Sequence, residues 1–340
     1  MDKSSWYNLE MSQIDFLAVG DIATDAFIKI KDAHLTCSID KEKCELCFRF
    51  GDKVPYESVE VISAVGNSPN AAVSAARLGL KTSLVSDMGD DAIAQDSIRY
   101  LKTENVDTSL VKLHKGKRSN YHYVLWYDVD RTILVKHHDY PYQFPNVEPP
   151  RWIYLSSLSE HSEKYHGQIA EYLKKNQKVK LAFQPGTFQI KLGANKLKEI
   201  YKRTEIFFSN IDESQKILKT KEKNVGKLLK GIHLFGPKIV CLTDGPKGAY
   251  AFDGENMFFV PPFDPLKKAF ERTGAGDAFA STVASALALG KTLEEALKLG
   301  PINAGSVVQQ VGAQKGLLTL QKLEQLLASS PKDYKIEKLF

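Results

Sequence analysis

Short runs of β-branched and aromatic residues alternate with helical patterns along most of the chain. The apolar run IDFLAVGDI (14–22) predicts a first buried strand. NAAVSAARLGL (70–80) predicts a small-residue helix that Gly79 stops, and KTSLVSDMG a second strand. The rhythm continues through a helix at AIAQDSIRYLKTENV, a strand at WIYLSSLS, a helix at EKYHGQIAEYLKKN and a strand at VKLAFQPG. A helix around NKLKEIYK and a strand at EIFFSN follow, and the C-terminal portion reads as helical. KIVCLTDGPKGAYAFDGENMFFV predicts strands joined by turns, with a hairpin at Asp253-Gly254. Such alternation argues for a parallel sheet covered by helices.

Two stretches leave this rhythm and return to it. Residues 31–62 mix charges, cysteines and alternating segments, and residues 116–140 alternate aromatic, β-branched and polar positions around an Asp128-Val-Asp130 turn. Both predict antiparallel strands with one solvated face. Paired, they would form a small sheet standing off the large domain, as a lid does. The expected division is an N-terminal extension over 1–13, a large α/β domain over 14–30, 63–115 and 141–330, a β lid over 31–62 and 116–140, and a tail over 331–340.

Composition narrows the classes. Of the 340 residues 43% are apolar, enough to bury a substantial core, and the formal charge of +5 comes from cations scattered among acids. Neither nucleic acid nor membrane is expected as a partner. The polar start, MDKSSWYNLEMSQ, lacks the apolar centre of a signal peptide, and four cysteines without an export signal lead to the expectation of a reducing cytoplasm with few disulfides.

ERTGAGDAFASTVASALALG places Asp277 directly behind Gly274 and Gly276 at the start of a small-residue helix. Amides at a helix N-terminus lack partners, and the helix dipole adds positive charge there. Backbone N–H groups of Ala275, Gly276 and Asp277 can therefore grip a phosphoryl group, and a carboxylate beside them can take the proton of an attacking hydroxyl. An ordinary helix cap is the competing account of the same residues.

AVGNSPNAAVSAARLGL, NIDE (210–213), TDGPKG (243–248) and RTGAGDAFA occur in this order, and together they resemble the ribokinase family, the PfkB carbohydrate kinases, over roughly residues 14–325. The resemblance implies a three-layer α/β/α sandwich with a mostly parallel sheet and a small β-sheet lid. It implies ATP and Mg²⁺ as cofactors, with a sugar or nucleoside under the lid. Asp277 then stands at the catalytic base and Gly274, Ala275 and Gly276 at the anion hole. Asn210 and Glu213 match an Asn-x-x-Glu motif near the triphosphate, with Glu213 organising Mg²⁺ through water, although the pair also reads as a capping box. Thr243, Gly245 and Gly248 match a turn beside the nucleotide, and Asn303 falls where a late helix approaches the adenine. Asp25, Gly66, Asn67 and Asn70 fall at the acceptor site, with Asp21 a weaker match.

The chain departs from the family at several positions. Glu271 and Arg272 replace Asp-Thr, which leaves dependence on a monovalent cation open. Gln184 replaces an acid, Val65 a glycine and Ala94 another glycine. His34, Cys37, Cys44 and Cys47 have a spacing open to two readings, a zinc site or free thiols, while Cys241 reads as core. Tyr121, Tyr123, Trp126 and Tyr127 can stack on an acceptor, form the dry face of the lid or join two lids in a homodimer. Lys117, Arg118, Arg131 and Lys136 can meet a phosphate or serve as surface charge. A sugar kinase, a nucleoside kinase and a binding protein without turnover are the three functions carried forward.

Overall fold

The computed structural model describes residues 13–31, 33–37, 44–128, 130–263 and 269–339, so that of the expected extension 1–13 only Gln13 is among them. The strand Phe16–Val19 lies inside a sheet of eleven described strands, parallel to Thr82–Gly89 on one side and Trp152–Leu155 on the other. Lys180–Phe183, Thr204–Asn210 and Ile239–Thr243 continue the parallel order. Parallel neighbours need crossovers, and helices Asn67–Arg77, Glu163–Lys175, Lys198–Arg203 and Val225–His233 supply them. Ala249–Phe252 and Met257–Val260 then fold back as a hairpin, where Asp253 Oδ1 accepts the amides of Glu255 and Asn256. Part of the expected tail 331–340 belongs to this sheet: Glu337–Lys338 pairs with Met257–Val260, and the Tyr334 hydroxyl donates to Lys298 O at 2.7 Å.

The centre of the sheet is buried on both faces, and its strands Phe16–Val19 and Trp152–Leu155 are apolar at every position. Phe16 and Ala18 enter one core with Trp152 and Tyr154, whereas Leu17 and Val19 enter the other with Ile153 and Leu155. Helices Asn67–Arg77, Ala275–Ala288 and Leu293–Val307 pack into the first core, and Glu163–Lys175 and Val225–His233 into the second. The result is three layers with a mostly parallel sheet in the middle. No described helix is long and apolar enough to cross a membrane.

A separate four-stranded sheet has the order Asp130–Leu134, Asn120–Tyr127, Ala23–Ile30, Tyr56–Val65. Residues 23–30 are thus removed from the large domain in which the sequence places them. They lack the alternation of a half-solvated strand because they form an interior strand of this sheet, mostly buried, with Phe27 packed against Val124, Trp126 and Val311. His34–Cys37 and Cys44–Cys47 form a two-stranded ribbon whose facing Cys37 and Cys44 are joined by a disulfide. This corrects the expectation of reduced thiols, and it takes two of four ligands from the zinc reading. Among the described residues no group of three or more His, Cys, Asp or Glu is placed to hold a metal ion. Cys47 is a free thiol, and Cys241 is buried in the first core.

Candidate active site

Asp277 lies in the first turn of the helix Ala275–Ala288 and lines a cavity of about 510 Å³. It is not the cap of that helix. Its carboxylate receives three carboxamide donors from distant segments: Asn67 Nδ2 at 2.7 Å and Gln184 Nε2 at 3.0 Å on Oδ1, and Asn70 Nδ2 at 2.8 Å on Oδ2. The amide orientations follow from their other partners, since Gln314 Nε2 donates to Asn70 Oδ1 and the Tyr154 hydroxyl donates to Gln184 Oε1. Burial raises the Asp277 carboxyl above the ordinary carboxylate value, while the three amides and the charge of Arg131 act in the opposite direction.

Gly274 begins the helix in the left-handed region, at φ 81°, and no side chain caps it. A Cβ there would stand 2.3 Å from Ala313 Cβ, so the position requires glycine on conformation and on space alike. Helix-start amides facing a cavity, with a carboxylate beside them, can hold an oxyanion and accept a proton. Next to them Glu271 is fully buried: Oε1 accepts the Thr273 amide and hydroxyl, Oε2 has no partner, and Arg131 Nε lies 3.9 Å from Oε1.

Asn210 and Glu213 cap the helix Ile211–Leu218. They form a reciprocal capping box, with bonds of 2.8 and 2.9 Å, and they line the same cavity as Asp277. Burial, and to a lesser degree the Asp277 charge, push the Glu213 carboxyl up. Thr243 borders this cavity and a second one of about 790 Å³, which Gly245, Gly248, Ala275 and Gly276 also line. Asn303 does not join them, contrary to expectation. It is fully buried, donates to Thr282 Oγ1 at 2.7 Å and accepts the Leu318 amide at 2.9 Å, so both ends of its amide are engaged inside the fold. Its neighbours Ala304 and Gly305 reach the second cavity instead.

On the opposite side, Asp25, Gly66, Asn67 and Asn70 all line the first cavity. Asp21 does not; it is buried and accepts the Tyr142 hydroxyl at 2.8 Å and His137 Nδ1 at 3.0 Å. Of the four cations singled out in residues 116–140 only Arg131 lines the cavity, and none of the four aromatics does. Side chains alternate along a strand, and Asn120–Tyr127 turns His122 inward while Tyr121 and Tyr123 face away. Sequence reasoning missed His122, His137 and Phe188, which line the cavity. Period-2 alternation separates position 122 from 121 and 123 but does not say which set faces the cavity.

Comparison with known proteins gives a consistent picture. Residues 32–320 match the pfkB family of carbohydrate kinases. The cytidine kinase of Thermococcus kodakarensis is 29% identical over 259 residues, 73% of this chain and 88% of that protein. The fold resembles the nucleoside kinase of Methanocaldococcus jannaschii, with a TM-score of 0.74 and 18% identity over 93% of this chain and 99% of that one. It also resembles the ribokinase of Arabidopsis thaliana complexed with ribose and ATP, with a TM-score of 0.73 and 19% identity over 92% and 98% of the two chains.

Proposed function

The chain belongs to the pfkB family of carbohydrate kinases, and we propose that it moves the γ-phosphoryl group of ATP onto a hydroxyl of a sugar or nucleoside, with Asp277 as general base. The observation that carries this reading is the position of Asp277: a carboxylate held by three amides, beside an uncapped helix start, where two cavities meet. The nucleotide occupies the second cavity beside Thr243, Gly245 and Gly248, with its phosphates toward Gly274–Asp277. The acceptor occupies the first, between Asp25 and Asp277, beneath the four-stranded sheet acting as a lid.

Asn67, Asn70 and Gln184 fix the carboxylate without satisfying all of its lone pairs, so an acceptor hydroxyl can donate to it. As the hydroxyl oxygen bonds to phosphorus, its proton passes to Asp277 and the bond to the ADP oxygen breaks. Amides of Ala275, Gly276 and Asp277 receive the negative charge spread over the transferred oxygens. Asp277 then loses the proton to water.

Mg²⁺ bound with ATP would offset phosphate charge. Glu213 fits the role of holding it through water, because it lines the cavity with Asp277 and a divalent cation there would offset the burial and the Asp277 charge that push its carboxyl up. An ion bound mainly by phosphates and water needs no cluster of protein ligands.

The test is turnover of the full chain with Mg·ATP and panels of sugars and nucleosides, followed as ADP release. Saturable release with members of one panel is expected. A rise in melting temperature with an acceptor but no ADP release would make the chain a binding protein and overturn the reading.

A further inference from the structure

We infer that the acceptor is a nucleoside whose base lodges against Phe188 and a strip of the lid that ends at His137, with His137 Nε2 accepting a hydrogen bond from an N–H of that base. This deepens the reading of the first cavity as the acceptor site and rests on it.

The lining of the cavity divides by chemistry. Asn67, Asn70 and Gln184 make one part of it polar around Asp277. The lid supplies a different surface. Along Asp130–Leu134 and the three residues that follow, every second side chain lines the cavity: Arg131, Ile133, Val135 and His137. This strip begins beside the helix start, where Arg131 Nε lies 3.9 Å from Glu271 Oε1, and ends where His137 is bonded to Asp21, just past the first strand. Between those ends Ile133 and Val135 are 37% and 55% exposed. Phe188, in the first turn of the helix Thr187–Leu192, lines the same cavity. Hydroxyls of a free sugar set against these three side chains would give up water with no partner in return. The flat faces of a base carry no such groups, and covering Ile133, Val135 and Phe188 with them is favourable.

His137 adds one polar atom to this wall. Asp21 Oδ1 accepts the Tyr142 hydroxyl at 2.8 Å and Oδ2 faces His137 Nδ1 at 3.0 Å, so the carboxylate accepts on both oxygens and Nδ1 carries a proton. Nε2 of the neutral ring is therefore an acceptor. It has no partner among the described residues and, unlike His122 Nε2, it is accessible. The imidazole stands perpendicular to the Phe188 ring with centroids 5.6 Å apart, which places this acceptor beside the aromatic surface. A base packed on Phe188 brings an exocyclic amino group or a ring N–H to Nε2, and cytosine, uracil and adenine each carry one or the other. A free sugar can donate to Nε2 only by setting its remaining hydroxyls against Ile133, Val135 and Phe188.

The experiment measures kcat/KM with Mg·ATP for free ribose, for cytidine, uridine and adenosine, and for counterparts of these nucleosides whose base N–H groups are methylated, in the wild type, Phe188→Ala and His137→Leu. In the wild type at least one nucleoside should exceed ribose by roughly 10-fold or more, the scale of one stacked base. Methylating that base should cost roughly 10-fold or more, because the covered acceptor on His137 is left unmatched. Phe188→Ala should lose roughly 10-fold with the nucleoside, chiefly through KM, and less with ribose, so that the preference shrinks. His137→Leu should no longer tell the nucleoside from its methylated counterpart. A free sugar turned over as well as or better than every nucleoside overturns the inference and leaves the kinase reading standing. A preferred nucleoside whose methylated counterpart reacts equally well in the wild type overturns the role of His137, as does a folded His137→Leu enzyme that keeps the discrimination. The wild-type comparisons decide even where a variant fails to fold. Failure of the wild type to turn over any acceptor overturns the kinase reading, and this inference with it.

Discussion

Asn70 Nδ2 donates to Asp277 Oδ2 at 2.8 Å, joining two residues 207 positions apart in the chain. The same Asn70 accepts from Gln314 through Oδ1, so its amide cannot turn over without losing a buried hydrogen bond. Helices Asn67–Arg77 and Ala275–Ala288 thereby aim one carboxylate at the cavity.

If Asp277 takes the acceptor's proton, Asp277→Asn should lower kcat by roughly 10² to 10⁴. Steady-state ADP release with a saturating acceptor measures this. Near-normal kcat in the variant would reduce Asp277 to a structural residue.

The pH profile should move when the cradle is weakened. The base works ionised, so activity falls as pH drops through the Asp277 pKa, which burial already raises. Hydrogen bonds to the carboxylate favour its charged form, and losing one raises the pKa further. Gln184→Leu should therefore shift the acidic limb of kcat/KM to higher pH, and a limb that stays in place or moves down would show that Gln184 does not act on this titration.

Asn303→Leu should damage stability rather than nucleotide binding. The substitution leaves the Leu318 amide without its acceptor and the Thr282 hydroxyl without its donor, at a cost of roughly 1–3 kcal/mol for each buried group left unpaired. Thermal melts should show the loss, while KM for ATP stays near the wild-type value. A large rise in that KM with an unchanged melt would restore Asn303 to the nucleotide site.

Thiol labelling distinguishes the cysteines. Without reductant the native protein should take label at half-buried Cys47 and not at Cys37 or Cys44, which are bonded to each other, while Cys241 is protected by burial. Mass spectrometry after reduction should find Cys37 and Cys44 labelled as well. Stoichiometric zinc in the purified protein, with Cys37 and Cys44 free, would contradict the disulfide.

Both the layered fold and the glycine-acid helix start were legible in the sequence, because each depends on local order. Continuous apolar runs such as residues 16–19 are what a strand buried on both faces requires, and Gly274 before Asp277 marks a helix start without a side-chain cap. Other features depend on which segments meet. Ala23–Ile30 carries the same apolar signal whether it lies in the large sheet or the small one, and only its pairing with Asn120–Tyr127 and Tyr56–Val65 decides. That pairing also sets which face of the lid points inward, bringing His122 to Asp25 and turning Tyr121 and Tyr123 away. Asn303 fits an adenine site or a core hydrogen bond equally well until its helix packs against Thr282. Local periodicity records how each segment is solvated, whereas hydrogen-bond partners hundreds of positions apart are fixed only when the packed layers bring them together.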